Sequence, residues 1–239
     1  MQLLGIALAP GVAIMLYIYL KDKHEREPLS LLLVSFIYGI FSTLVTLSIS
    51  FPVNLIFALQ PGDLVHEAYD AFLKVALVEE FSKFIFVRFI LYPNKNFNEP
   101  FDGIVYAVMV SMGFATLENI VYVYSYGFET GLLRMFTAVP AHASFGVMMG
   151  YFLGLGKFSH QKQLYYSVSA LLIATLFHGA YDYFWFIANI TGVWAGIWLG
   201  AIISLALGLW LSRKAIRLHQ NASPFIGEQQ PTAKESQEN

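Results

Sequence analysis

The chain has 239 residues, of which 57% are hydrophobic and only 13% charged, with a formal net charge of -2 and no cysteine. Soluble domains carry about 25% charged residues, so this is the composition of a membrane protein, as the mean hydropathy of +0.58 also says. The small net charge, without a basic block or a glycine-rich phosphate loop, excludes a nucleic-acid partner, and the absence of cysteine excludes disulfides, thiolate metal sites and cysteine nucleophiles.

A membrane-spanning helix needs about 20 apolar residues. Such stretches occur at 3–20, 29–58, 68–92, 101–125, 134–156, 165–187 and 193–212. The first has no Lys or Arg ahead of it and no small-residue cleavage pattern, so it reads as a retained span, not a signal peptide. The second is long enough to tilt or to end in an interfacial segment near Pro52. The predicted fold is all-α, a polytopic transmembrane helix bundle of seven spans. Residues 1–212 form one membrane domain. Residues 213–239 form a polar tail, too poor in apolar residues to pack and expected to be disordered.

Basic residues predict the orientation. Lys21, Lys23 and Arg26 follow the first span, Arg88 and Lys95 the third, Lys157 and Lys162 the fifth, and Arg213, Lys214 and Arg217 the seventh. The alternate loops hold only Arg134, at the edge of the fourth. The expectation is a multi-pass protein of the cell membrane (plasma or inner), with its N-terminus outside and its C-terminus in the cytoplasm.

Ionisable residues inside spans cost about 2.5–3.5 kcal/mol each on insertion scales, so they mark function. Span three holds Glu79, Glu80 and Lys83, span four Glu118, span five His142, and span six His178 and Asp182. Glu79 lies about eleven residues from the outer end of its span, Glu118 about seven, His142 about eight and His178 about nine, which at 1.5 Å per residue puts all four roughly 10–17 Å below the outer surface. Independent placement would scatter them in depth.

Helix faces point the same way. Residues four apart share a face, as Glu79 does with Lys83 and His178 with Asp182. Gly103, Ala107, Ser111 and Ala115 form a small-residue stripe on span four. His142 lies on the stripe Ala138, His142, Gly146, Gly150, Gly154, and His178 on Ala170, Ala174, His178. Small residues let membrane helices approach, so both histidines face the bundle interior. Glu118 lies beside its stripe. Each group has a plainer reading: Glu79 with Lys83 as a structural helix pair, a lone histidine as a bond between helices, Asp102 as a cap of span four. His24, His66, His160 and His219 fall in loops or tail and are expected to be solvated.

These residues resemble the PrsW family of intramembrane proteases, a group related to the CAAX-processing membrane proteases and to the Aph-1 subunit of gamma-secretase. The marks are EExxK at Glu79-Glu80-Phe81-Ser82-Lys83, FxxxE at Phe114-Ala115-Thr116-Leu117-Glu118, and HxxxD at His178-Gly179-Ala180-Tyr181-Asp182, with His142 between. Each is weak alone, but their order on successive spans is specific. The resemblance implies a peptidase that makes the site-1 cut in a membrane-anchored protein substrate within the lipid bilayer, with an anti-sigma factor as the family's known kind of substrate.

Peptide hydrolysis needs an activated water, a proton for the leaving amine and a stabilised oxyanion. The expected roles are Glu79 as general base with Glu80 in support, and His178 at the carbonyl oxygen with Asp182 fixing its tautomer. Glu118 and His142 would position the water. A metal variant has zinc held by His142, His178 and Glu118, with Glu79 still the base. Rival readings are an ion- or proton-coupled transporter, which predicts inverted repeats that are not evident here, a non-catalytic Aph-1-like scaffold, and a CAAX-type prenyl peptidase, against which the acid at Glu118 speaks.

Overall fold

A computed structural model describes residues 2–56, 63–191 and 194–226. Among them the secondary structure is helical. Helix α1 is Gln2–Lys21 and α2 is Leu29–Ile56. Helix α3 runs over 64–91, α4 over Pro100–Tyr126, α5 over Phe128–Phe136 and α6 over Ala138–Lys157. After the short turn His160–Lys162, α7 is Gln163–Thr191 and α8 is Trp194–Gln220. Six segments are long and apolar enough to cross a membrane, and α3, which carries the motif charges, lies with them as the seventh long helix.

Helix α4 is the axis of the bundle. It is buried without interruption from Phe101 to Thr116, between α1, α2, α6 and α8. The small-residue stripes explain how. A side chain at Gly103 would meet the Gly150 carbonyl of α6 at 2.5 Å, and one at Gly146 would meet Ser111 and Ala107 of α4 at 2.7 and 3.1 Å. The α2 crossing is as tight, because a side chain at Gly113 would sit on the Phe36 carbonyl. Lipid tails are as apolar as Leu, so close backbone packing, not hydrophobic exclusion, drives this association. Helix α4 starts from a reciprocal capping box of Glu99 and Asp102 with Pro100 in the first turn. Asp102 Oδ2 accepts the backbone N–H of Asn98 and of Glu99, both at 2.8 Å, so Asp102 is a cap.

Three differences from the sequence expectation have physical causes. The span predicted over 134–156 is two helices. Gly127 turns the chain with φ +88°, which favours glycine. Short α5 follows, and α6 begins afresh at Ala138. Thr137 leaves helical geometry (φ -121°, ψ -79°), and Pro140, which cannot donate to the carbonyl four residues back, favours the restart there, although α1 and α2 run through Pro10 and Pro52. Second, α3 changes register: Asp70–Ala76 and Val87–Leu91 are π-helical, while Leu64–Tyr69 and Leu77–Phe86 are α-helical. Third, α8 continues past 212 to Gln220 because Ser212, Ala215, Ile216 and His219 keep one buried face at helical spacing. His219, expected to be solvated, is buried and stacked on Tyr151 at 4.4 Å between ring centres. Gln220 donates to the Lys21 carbonyl and Ser223 to Glu99. Residues 227–239 of the expected tail, and 57–58 of the second predicted span, lie outside the described residues, as does the His160 side chain. His66 is half-buried, with 42% of its side chain exposed, and lies 2.9 Å from Asp63.

The turn between α1 and α2 buries carboxylates against α4. Asp22, Glu27 and Glu99 are all nearly inaccessible. Asp22 Oδ2 accepts the Glu27 backbone N–H at 3.1 Å, and the Tyr106 hydroxyl donates to Glu27. Burial pushes Asp22 and Glu27 each up to about 7. A carboxyl raised above its unfolded value stabilises the fold below that value, and the contribution is lost as pH rises through the folded value. The melting temperature of detergent-purified protein is therefore expected to fall between about pH 5 and pH 8. Glu27→Gln, which still accepts from Tyr106 but carries no charge, is expected to flatten that fall, as read by thermal melts at each pH. An unchanged slope in the variant would show that this turn does not titrate with folding.

Candidate active site

Four helices deliver the polar residues. The α-helical segment Leu77–Phe86 of α3 carries Glu79, Glu80 and Lys83. Glu118 comes from α4, His142 from the second turn of α6, and His178 and Asp182 from α7. The structure brings all seven together. Glu80 and Lys83 are fully inaccessible, and Glu79, His142 and His178 are buried. The Asp182 and Glu118 side chains stay 17% and 21% exposed, as befits the walls of an open cavity.

Lys83 is the junction. Its Nζ donates to Glu80 Oε1 at 2.7 Å and to His142 Nδ1 at 3.2 Å, and lies 4.1 Å from the centre of the Phe114 ring. Glu79, its expected helix partner, is 3.8 Å away. The ammonium thus serves Glu80 first and leaves Glu79 Oε2 without a hydrogen bond. Because the ammonium can only donate, His142 Nδ1 is the acceptor and Nε2 carries the hydrogen. Glu118 Oε2 accepts it at 3.0 Å.

His178 stands between carboxylates. Its Nδ1 is 2.9 Å from Glu80 Oε1, while its Nε2 is 3.1 Å from Asp182 Oδ2 and 3.8 Å from Glu79 Oε2. The ring is stacked on Phe145 at 4.7 Å and meets His142 edge to face at 5.1 Å. Aromatic packing and Glu80 together leave the imidazole little freedom to rotate.

Sequence reasoning missed Arg134. From α5 its Nη2 donates to Glu118 Oε2 at 2.7 Å, and its Nε to Asn119 Oδ1 at 3.0 Å. Asn119 in turn donates to the Ala7 carbonyl of α1 at 3.0 Å, and the guanidinium lies 4.0 Å over Tyr122. The signal was present: Arg134 is the one basic residue in a loop where the charge rule wants none. A cavity of about 430 Å³ opens onto this group. Glu79, Glu118, His142, His178 and Asp182 line it, together with Arg134 and the rings of Tyr181 and Trp185.

The donor set was tested against a metal. One donor atom from each of Glu79, His142 and His178 lies within 4.8 Å of the others. Two imidazoles and a carboxylate are the composition of a catalytic zinc centre with one position left open, so the residues fit. Glu118, the carboxylate expected in this set, is turned to Arg134 and His142 instead. Metal on His142 would replace one of its contacts, to Lys83 or to Glu118.

Comparison with known proteins agrees with this geometry. Residues 27–211 match the family described as PrsW family intramembrane metalloprotease. Curated proteins named Protease PrsW are similar to the chain. The one from Geobacillus kaustophilus strain HTA426 is 40% identical over 206 residues, 86% of this chain and 89% of that protein. The one from Bacillus subtilis strain 168 is 35% identical over 184 residues, 76% and 81%. The one from Clostridioides difficile strain 630 is 31% identical over 234 residues, 95% and 96%. No solved structure matches. A helical bundle that crosses the membrane and buries EExxK, FxxxE and HxxxD side chains around one cavity, matched over most of its length by that family, belongs to the PrsW intramembrane metalloproteases and is a peptidase.

Proposed function

We propose that the chain hydrolyses one peptide bond of a membrane-anchored protein, with Glu79 as general base. The observation that carries this is that the Glu79 carboxylate lines the cavity with Oε2 free of hydrogen bonds, whereas Glu80 does not line it and is tied through Oε1 to both Lys83 and His178. Glu79 takes a proton from water as the hydroxyl bonds to the carbonyl carbon. His178, held at Nδ1 by Glu80, shares its Nε2 hydrogen between Asp182 and the oxyanion. The proton on Glu79 then passes to the nitrogen as the C–N bond breaks, leaving a carboxyl and an amine. Glu118, locked by Arg134, holds the His142 Nε2 hydrogen and so keeps that ring in place. A metal bound by Glu79, His142 and His178 would polarise the carbonyl and acidify a water.

The grouping of donor atoms within 4.8 Å favours a second reading, in which Glu79 is a metal ligand and not the base. For the substrate, the family resemblance points to site-1 cleavage of an anti-sigma factor. For orientation, the loop lysines and arginines meet at one end of the bundle, where Lys157 bonds the Tyr92 carbonyl, Arg88 bonds Ser167 and Gln220 bonds Lys21. That end is proposed to face the cytoplasm, with both the N-terminus and the cavity mouth on the outer side.

Co-expression with a tagged single-span anti-sigma factor, read by immunoblot, tests the activity. Glu79→Gln is expected to slow cleavage by about 10²–10⁴-fold while the protein still inserts and purifies; a variant within tenfold of the parent would remove Glu79 from either role. Elemental analysis of purified parent and variant separates the two readings, since metal content is kept if Glu79 is only the base and lost if it is a ligand. Arg134→Gln is expected to cost at least about tenfold in cleavage, because Glu118 loses its partner. Arg134→Lys is expected to recover part of it, since an ammonium supplies charge without the two-pronged geometry that reaches Glu118 and Asn119 together. Equal loss in both variants would deny the charge any share in the effect.

A further inference from the structure

Glu79 has a second side. A smaller cavity, about 220 Å³, is lined by Ser50 of α2, Asp70, Lys74, Val75 and Glu79 of α3, and Phe186 of α7. Val75, Glu79 and Phe186 also line the larger cavity, so the two spaces adjoin on either side of Glu79. We propose that this smaller cavity is the water entrance of the site, separate from the path of the substrate. The proposal rests on the reading that Glu79 activates water.

Three observations converge on it. Asp70 and Lys74 sit in a helix of the bundle, 3.0 Å apart, and no contact described above ties them to the Lys83 network. Charges in lipid are costly unless paired or wetted, and pairing alone leaves their remaining hydrogen-bonding capacity unmet. A polar cavity supplies water for it. Second, α3 is π-helical over Asp70–Ala76. In a regular α-helix, residues five apart point about 140° away from each other. The wider π turn reduces that divergence between Lys74 and Glu79, and both line this one cavity. Third, the two spaces differ in kind. The larger is lined by the rings of Phe145, Tyr181 and Trp185, an aromatic surface suited to a peptide. The smaller has room for several waters at about 30 Å³ each, and four of its six lining residues, Ser50, Asp70, Lys74 and Glu79, are polar or charged. Water reaching Glu79 from behind would not have to pass a bound substrate.

The chain has no cysteine, so single cysteines report without background. Ser50→Cys is compared with Leu47→Cys, whose side chain lies on the exposed surface of the same helix. A charged, membrane-impermeant methanethiosulfonate reagent is applied to the full-length protein in membranes. Ser50→Cys is expected to react at least about tenfold faster than Leu47→Cys. Its complete modification is expected to lower kcat about tenfold with KM within twofold, because water is excluded and substrate is not. Equal labelling of the two positions overturns the proposal. So does unchanged kcat after modification. A rise in KM alone overturns it as well, since the cavity would then belong to the substrate. If the parent protein cleaves nothing, the protease reading has failed, and the labelling contrast still decides whether water enters here.

Discussion

One buried cation organises the site. Lys83 is completely inaccessible and sits between Glu80, His142 and the face of Phe114, which places α3, α4 and α6 around a single charge. An unpaired ammonium or carboxylate at this depth would be expelled or would drag water in, and removing one partner from such a cluster costs about 3–5 kcal/mol. The charges therefore specify the arrangement of the helices as much as the helices position the charges. Lys83 also sorts two adjacent glutamates. Glu80 bonds Lys83 and His178 through Oε1, and Glu79, one residue earlier and so rotated about 100° around the helix, lines the cavity. The adjacent pair in EExxK thus divides into one carboxylate tied to Lys83 and His178 and one that lines the cavity.

The cluster can exist only because backbones come close. Glycine meets glycine where α4 crosses α6, and Gly146 lies on Ser111 one turn further along. That contact sets the depth at which His142 stands beside Glu118. A methyl group at Gly103 or Gly150 would push the helices apart by more than a hydrogen bond can stretch. The imidazole would lose Glu118 and Lys83 together. Small residues and charged residues in these spans are thus two parts of one device.

Much of this was legible in the sequence, because lipid makes polarity informative. Depth along each span and the four-residue face rule grouped Glu79, Glu118, His142 and His178 at one level, and the same residues surround one cavity in the structure. What escaped were relations that periodicity does not encode. That Lys83 would choose Glu80 over Glu79 depends on which side of α3 meets the bundle. The π turns leave no mark in composition. The extension of α8 was hidden because Arg213, Lys214 and Arg217 are polar, although Ala215, Ile216 and His219 between them continue the buried face. The break before α6 was written in Pro140 and was masked by the apolar residues on both sides of it.

That break has a consequence for the chemistry. Were 128–157 one straight helix, Arg134 would stand two turns above His142 on a continuous rod, since eight residues rise about 12 Å. Ending α5 at Phe136 and restarting at Ala138 lets the arginine fold back over the mouth, where its guanidinium shares Glu118 Oε2 with the His142 ring. The guanidinium beside Glu118 orients that carboxylate as an acceptor, and Glu79, 3.8 Å from Lys83, is left as a cavity glutamate with an oxygen free of hydrogen bonds. The break between α5 and α6 therefore helps set which cation each carboxylate of the cavity meets.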